Sequence, residues 1–480
     1  MLLGTMVHPV LIQGGMGAAI SGWRLAREVS LLGQLGVVSG TAINSVMARR
    51  LQDGDPGGHV RRALESFPEP EAARAVIARY FQPEGRNGRA YRLCSLPSAR
   101  PSLRFLREVV LGAFAEVFLA KEGHGGIVGI NFLEKIQFPN LAGLYGALLA
   151  GVDHVLMGAG IPREIPGALE RLVAHEPASL KVAVTGPCEV EQRTHFDPRA
   201  VLPGLRAAPL VRPSFLAIIS SATLAAHLLR NPTGRIDGFV VELPSAGGHN
   251  APPRGPLQLD AAGEPVYGPK DVPDLAAIRA LGLPFWLAGS FGSAEKLRAA
   301  RALGAVGIQV GTAFAFCEES GLAEPLRRAT LEKWVFEANL PRERVRTDPQ
   351  ASPTAFPFKV VPLEHTLSDP AVYAARQRRR CDLGYLRQVV VGPDGQLVYR
   401  CPAEPVADYL AKGGRLEETH DRKCLCNALM ANAGLAQTGP DGWTEPALVT
   451  AGDDLAELRR FFPAGRSALH AREVVEQLLA

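Results

Sequence analysis

Short apolar, β-branched runs recur along the chain, and most end in glycine before a segment of helical periodicity. Residues 9–13 run into Gly14-Gly15-Met16-Gly17, and a helical pattern follows over 23–35. Further runs cover 36–40, 127–132, 154–157, 215–219, 239–241, 284–288 and 306–310, with helical segments predicted over 141–150, 166–175, 222–229, 271–281 and 294–303. Near-continuous apolar strands separated by helices predict a parallel sheet buried on both faces. Eight such units predict that it closes as a (β/α)8 TIM barrel, with its chemistry at the C-terminal strand ends.

Two stretches interrupt the alternation. A polar, partly helical section over 45–125 is too long for an ordinary βα connection and reads as an insertion, with an amphipathic helix over 106–119 inside it. A second excursion, about 181–212, carries Thr194-His195-Phe196-Asp197 and reads as a hairpin insertion. The barrel is expected to occupy 1–345. Residues 346–480 read as a C-terminal cap: loop-like aromatic stretches at 347–354 and 356–359 suit packing across a barrel mouth, a hairpin is predicted near 389–399, and helices over 455–462 and 471–479.

Composition narrows the class. With 480 residues, 47% of them hydrophobic, the chain can bury a sizeable core. A net charge of +4 on 52 basic and 48 acidic residues, without a basic cluster interleaved with aromatics, argues against nucleic acid as a partner. The N-terminus lacks the pattern of a signal peptide and no window is long and apolar enough for a bilayer, so no membrane partner and a cytoplasmic location are expected. A homo-oligomer is left open.

Seven scattered cysteines do not form a secreted disulfide framework. Four crowd the final hundred residues: Cys381, Cys401, Cys424 and Cys426. They are candidate ligands for zinc or an iron–sulfur cluster, but the one tight pair is Cys-Leu-Cys, so reduced packing cysteines are the preferred reading and no metal is assigned.

The strand ends carry the candidate chemistry. Gly289-Ser290-Phe291-Gly292 follows the seventh predicted strand and Gly311-Thr312 the eighth, each feeding a helix N-terminus. Backbone N–H groups there can cradle a phosphate without any lysine; the plainer alternative is glycine for tight βα turns. After the sixth strand, Gly247-Gly248-His249 puts an imidazole on a loop that something flat or anionic can approach closely, or else a histidine that merely caps backbone.

Taken together, IQGGMG, GINF, GVDHVLMGAG, SAGGHN, LAGSFG and GIQVGTAF, spread in order over residues 8–330, resemble the nitronate monooxygenase (2-nitropropane dioxygenase) family of FMN-dependent barrel enzymes. The pattern is also similar to the related FMN-dependent enoyl-thioester reductases. The resemblance implies FMN as cofactor, with Gln13, Gly14, Gly15, Met16 and Gly17 along the flavin ring, Asn131 at its pyrimidine edge or phosphate tail, and Gly247 and Gly248 allowing close approach. Gly289, Ser290, Gly292, Gly311 and Thr312 would hold the phosphate. His249 matches the family histidine that accepts a proton from a carbon acid, a task suited to an imidazole titrating near neutrality. The implied function is oxidation of a nitronate-like small molecule with dioxygen; the alternative is NAD(P)H-dependent reduction of an enoyl thioester or quinone. With no Rossmann fingerprint present, NAD(P)H would have to stack directly on the flavin. The residues alone also admit a flavin-free phosphosugar lyase or isomerase, or a scaffold whose tail binds metal or protein.

Overall fold

Eight of the apolar runs form eight parallel strands that close on themselves: β1 (Leu11–Gln13), β2 (Leu35–Ser39), β3 (Val128–Leu133), β4 (His154–Gly158), β5 (Ser214–Ile219), β6 (Gly238–Glu242), β7 (Phe285–Ala288) and β8 (Gly307–Val310). The computed structural model describes residues 8–206, 208–230, 233–337, 345–375, 381–439, 442–463 and 466–480. Every strand pairs with its sequence neighbours in the barrel, and β1 closes the ring on β8 with Leu11 opposite Ile308 and Gln13 opposite Val310. The expected (β/α)8 barrel is therefore the observed fold.

The alternation of side chains along these strands builds two apolar layers. Ile12, Leu35, Val37, Leu156, Leu216, Val240 and Trp286 fill the barrel, whereas Leu11, Val38, Ile130, Val155 and Phe239 face the surrounding helices. Trp286 is 1% exposed, and its indole N–H donates to the Pro9 carbonyl at 2.7 Å, so the one polar atom it buries is satisfied. Removing such a side chain from water contributes about 1.5–3 kcal/mol.

The long connection between β2 and β3 is helical, with helices Ile43–Gln52, His59–Glu65, Pro70–Tyr80 and Leu103–Lys121. The last starts at Ser102, whose hydroxyl accepts the Phe105 N–H, and packs on helix Asn140–Leu149 at glycine: a Cβ on Gly146 would stand 2.1 Å from the Val110 carbonyl oxygen. Several helices are shorter than the periodicity predicts; the one expected over 23–35 ends at Leu31, and Leu35 already opens β2. Pro273 stops the pattern before β7, leaving a 3-10 turn at Pro269–Asp271 and a helix only over Leu275–Ala280, capped by Asp274. Near the C-terminus, Ala456–Phe461 is a 3-10 helix. In the second excursion, Ala178–Lys181 pairs antiparallel with Arg193–Phe196.

The tail lies on the barrel. Arg346–Asp348 pairs with Phe358–Val360, and Gln388–Val391 with Leu397–Arg400, the predicted hairpin; the first strand of that hairpin also takes Val184–Thr185 as a parallel neighbour. An apolar cluster joins the tail residues Phe358, Leu367, Leu425 and Leu448 to Ala18, Ala42, Val46 and Ile136 of the barrel's upper loops. Among the described residues no helix is long and apolar enough to cross a membrane.

Candidate active site

The glycine-rich turns after β1, β6, β7 and β8 meet at the C-terminal end of the barrel around one cavity of about 220 Å³. Gly14, Gly15, Met16 and Gly17 line it from β1, Asn131 from β3, Gly247, Gly248 and His249 from the β6 loop, Gly289, Ser290 and Gly292 from the β7 turn, and Gly311 and Thr312 from β8. Gln13 is the exception and corrects the expectation for it. Its side chain is fully buried in the barrel wall, where its Oε1 accepts the Val37 N–H at 3.1 Å and its amide donates back to the Val37 carbonyl at 3.3 Å. It braces β1 against β2 and does not border the cavity.

The lining suits a flat, phosphate-bearing, hydroxylated ligand such as FMN. A Cβ on Gly15 would stand 2.3 Å from Cβ of Asn131, so only glycine lets the β1 turn lie against that side chain. A Cβ on Gly311 would meet nothing nearer than Met16 Sδ at 3.4 Å; that space belongs to the cavity. Two buried acceptors on the wall, Gln309 Oε1 and Asp454 Oδ1, have no hydrogen-bond partner. The hydroxyls of a ribityl chain are the donors such acceptors lack.

The turns expected to hold phosphate differ from expectation in two respects. The β7 turn leads, through Ser293, into a nine-residue helix, Ala294–Ala302, but the helix after Gly311 is only Thr312–Ala315, too short to add much dipole. The tail also reaches these turns. The Gly452 N–H donates to Thr312 Oγ1 at 3.0 Å, Asp453 N–H donates to the Ser245 carbonyl, and Gly248 N–H donates to Thr450 Oγ1 at 2.8 Å. Burial holds the Asp454 carboxyl above its usual range, which lowers the cost of placing it beside an anion.

His249 sits where the tail crosses the β6 loop. It forms an antiparallel bridge with Phe358; Lys359 N–H donates to the Gly248 carbonyl, and Asn250 N–H to that of Pro357. Its ring packs edge-on against Phe358 with centroids 4.8 Å apart, and Nε2 lies 2.9 Å from Ser352 Oγ. Ser352 Oγ in turn accepts the Thr354 N–H and lies 2.7 Å from Thr354 Oγ1. Burial, and then the neighbouring charge of Lys135, push the imidazole well below its ordinary pKa, so it is neutral at pH 7 and does not titrate near neutrality as the resemblance implied.

Lys135 belongs to a group of ionisable side chains that sequence reasoning missed. Its ammonium is buried without a hydrogen-bond partner and lies 4.2 Å above the Phe356 ring; desolvation drives its pKa well below the usual lysine value. The carboxyl of Glu242, last residue of β6 and part of the cavity wall, is pushed up to about 7 by burial against the opposing pull of Lys135. Glu134 is likewise raised to about 7 by burial. A signal existed for two of them, since a glutamate ending the apolar FVVE run and a lysine just past GINFLE stand at barrel strand ends. Ser352, Thr450 and Asp454 come from the tail and carry no local signal. The four candidate cysteines do gather in the tail, and Cys426 borders the cavity; among the described residues no group of three or more histidine, cysteine or acidic side chains converges on a single metal ion.

A family model described as nitronate monooxygenase matches residues 209–343, the span that carries His249 and the β6, β7 and β8 turns. The resemblance read from the sequence is borne out there. None of the curated proteins matches the chain significantly. Similar solved structures include a nitroalkane oxidase from Streptomyces ansochromogenes (15% identity, TM-score 0.49, covering 98% of this chain and 95% of that one) and FabK from Thermotoga maritima (14%, 0.47, 98% and 92%). The enoyl reductase domain of MlnA from Bacillus amyloliquefaciens is a third (11%, 0.44, 98% and 93%). At these scores the likenesses carry no argument about function.

Proposed function

Taking the chain as an FMN-dependent oxidoreductase of the nitronate monooxygenase type, we propose that it oxidises a small nitronate-like carbon acid with dioxygen, using His249 as the base. The observation that carries this reading is a neutral imidazole on the cavity wall, held by Ser352, in the segment that matches the family model.

In this reading the turns at Gly14–Gly17, Gly247–Gly248, Gly289–Gly292 and Gly311–Thr312 hold the cofactor, with Gln309 and Asp454 accepting from its polyol chain. Bound there, FMN supplies the acceptance of an electron pair and its delivery to dioxygen. His249 takes the proton from the carbon acid: the C–H bond breaks, its pair stays on the substrate, and the proton ends on a ring nitrogen. When Nε2–H donates to Ser352, Nδ1 carries the free lone pair. Desolvation and Lys135 both oppose a lasting imidazolium, which favours prompt return of the proton. Phe358, Leu386 and Leu429 line the same cavity from the tail and help to exclude water.

That apolar roof also favours a second reading, reduction by NAD(P)H of a substrate with an extended apolar part, an enoyl thioester or a quinone. An absorption spectrum under nitrogen separates the two. Bleaching of the flavin band by a nitronate, but not by NADH or NADPH, is the expected result; bleaching by a pyridine nucleotide alone overturns the first reading in favour of the second.

A further inference from the structure

Glu242 stands between two cavities. It ends β6, two residues beyond Val240, which fills the barrel, so the alternation of the strand turns its side chain toward the flavin cavity whose wall it joins. It also lines a second, outer cavity of about 20 Å³, bounded by Ser220 just after β5, by Ala251, Pro252 and Arg254 of the β6 loop, and by Tyr267 and Asp271. Among the described residues, Glu242 alone lines both.

The outer cavity is polar and firmly built. Pro252 and Arg254 on its rim are exposed, so it adjoins the surface. The Arg254 guanidinium donates to the Ser220 carbonyl at 2.8 Å, its backbone N–H donates to Asp271 Oδ1 at 2.8 Å, and Tyr267 OH donates to the Ala251 carbonyl at 3.0 Å. These bonds fix the walls and leave lone pairs on Asp271 and Tyr267 for a guest. One water needs about 10–15 Å³ of such space, so the outer cavity holds one.

The inner cavity needs such an exit. A proton taken by His249 has to reach solvent before the next turnover, yet the imidazole is roofed by Phe358 and held at Nε2 by Ser352. Burial and Lys135 also disfavour a lasting imidazolium. On the wall of the same cavity, burial holds the Glu242 carboxyl at about 7 against the pull of Lys135, where it can both take and give a proton at neutral pH.

Resting on the carbon-acid reading above, we propose that Glu242 relays the substrate's proton from the flavin cavity to solvent. Water in the inner cavity carries the proton from the His249 imidazolium to the Glu242 carboxylate. The O–H bond formed there breaks toward the water of the outer cavity, which restores the carboxylate. No electrons move in these steps; the carbon acid loses one proton and bulk water gains it.

The test compares a neutral nitroalkane with its preformed nitronate on the FMN-loaded full chain, in dilute and in concentrated imidazole buffer. Glu242→Gln, close to the original in shape, should slow turnover of the nitroalkane in dilute buffer by about 10²-fold, as expected for removal of a positioned proton-transfer group. Concentrated imidazole should restore most of that loss, because a mobile base replaces the relay. The nitronate arrives without the proton and should lose much less. Ser220→Leu, which fills the outer cavity and leaves the inner wall intact, should likewise slow the nitroalkane alone, and it decides the matter should Glu242→Gln lose FMN. No loss, equal losses on both substrates, or a loss that imidazole does not restore overturns the relay and leaves the carbon-acid reading standing. An unsubstituted chain whose flavin neither substrate bleaches under nitrogen overturns that reading, and the relay with it.

Discussion

At the residue scale, His249 and Glu242 make separable predictions. His249→Asn keeps a hydrogen-bonding side chain but removes the base. It should leave FMN bound while lowering turnover of a neutral nitroalkane by roughly 10²–10⁴. A preformed nitronate arrives without the proton and should lose much less. Steady-state rates on the two substrates check this, and equal losses on both would make His249 a group that positions the ligand. Glu242 is a stability prediction. Its folded pKa, about 7, lies above the usual carboxylate value because burial disfavours the anion. The folded state therefore holds this proton more tightly than the unfolded state. The corresponding stability is fully present below about pH 4.5 and is lost as the pH rises through 7. Glu242→Gln removes the titration, so the variant should gain on the unsubstituted chain between pH 5 and pH 8, by at most about 3 kcal/mol. Urea unfolding at the two pH values measures the difference, and a difference that stays constant would show that Glu242 does not titrate in this range.

At the scale of elements, two glycines in facing turns should behave differently when enlarged. Gly311 has room for a side chain apart from Met16 Sδ, but that room is the cavity. Gly311→Val should fold and lose flavin, which the ratio of flavin to protein absorbance reads directly; unchanged flavin content in a folded variant would remove Gly311 from the phosphate site. At Gly15 the obstacle is protein, since the new Cβ meets Asn131 at 2.3 Å. Gly15→Ala should lower the unfolding midpoint itself, by about 1–3 kcal/mol of stability. The same contrast explains what was legible in the sequence. Strand-end glycines and His249 are local features, each read from a few residues around an apolar run, and so the barrel and most of its cavity wall were visible in the chain. Gln13 shares that local pattern, but the strand's alternation turned its side chain into the barrel wall toward β2, and only the closed register reveals it. The predicted helix over 271–281 is confined to Leu275–Ala280 because Pro273 breaks its first turn, and helical periodicity alone does not register that break.

At the scale of the whole molecule, the tail completes the cavity, and for this reason its part in the site was the least legible. Ser352, Thr450 and Gly452 reach His249, Gly248 and Thr312 across sequence separations of more than a hundred residues, which no local motif reports. The attachments are numerous and buried: Tyr385 OH lies 2.7 Å from Asn44 Oδ1 and 2.9 Å from Ser45 Oγ, and Arg49 donates to the Leu435 carbonyl at 2.5 Å. Lys359, 4% exposed, pairs with Asp453 at 2.5 Å beside the His249 loop. An apolar cluster shared by tail and barrel loops adds a common core. Elements joined in this way open together, because loosening the tail would expose both its own apolar face and unpaired polar groups of the loops beneath. Hydrogen exchange in increasing urea should therefore show amides of the tail helix Leu425–Asn432 and of β6 losing protection over the same concentration range, with FMN released in step. Exchange of the tail helix at clearly lower urea, while β6 stays protected and flavin stays bound, would show that the tail is a detachable cover and that the barrel turns alone retain the cofactor.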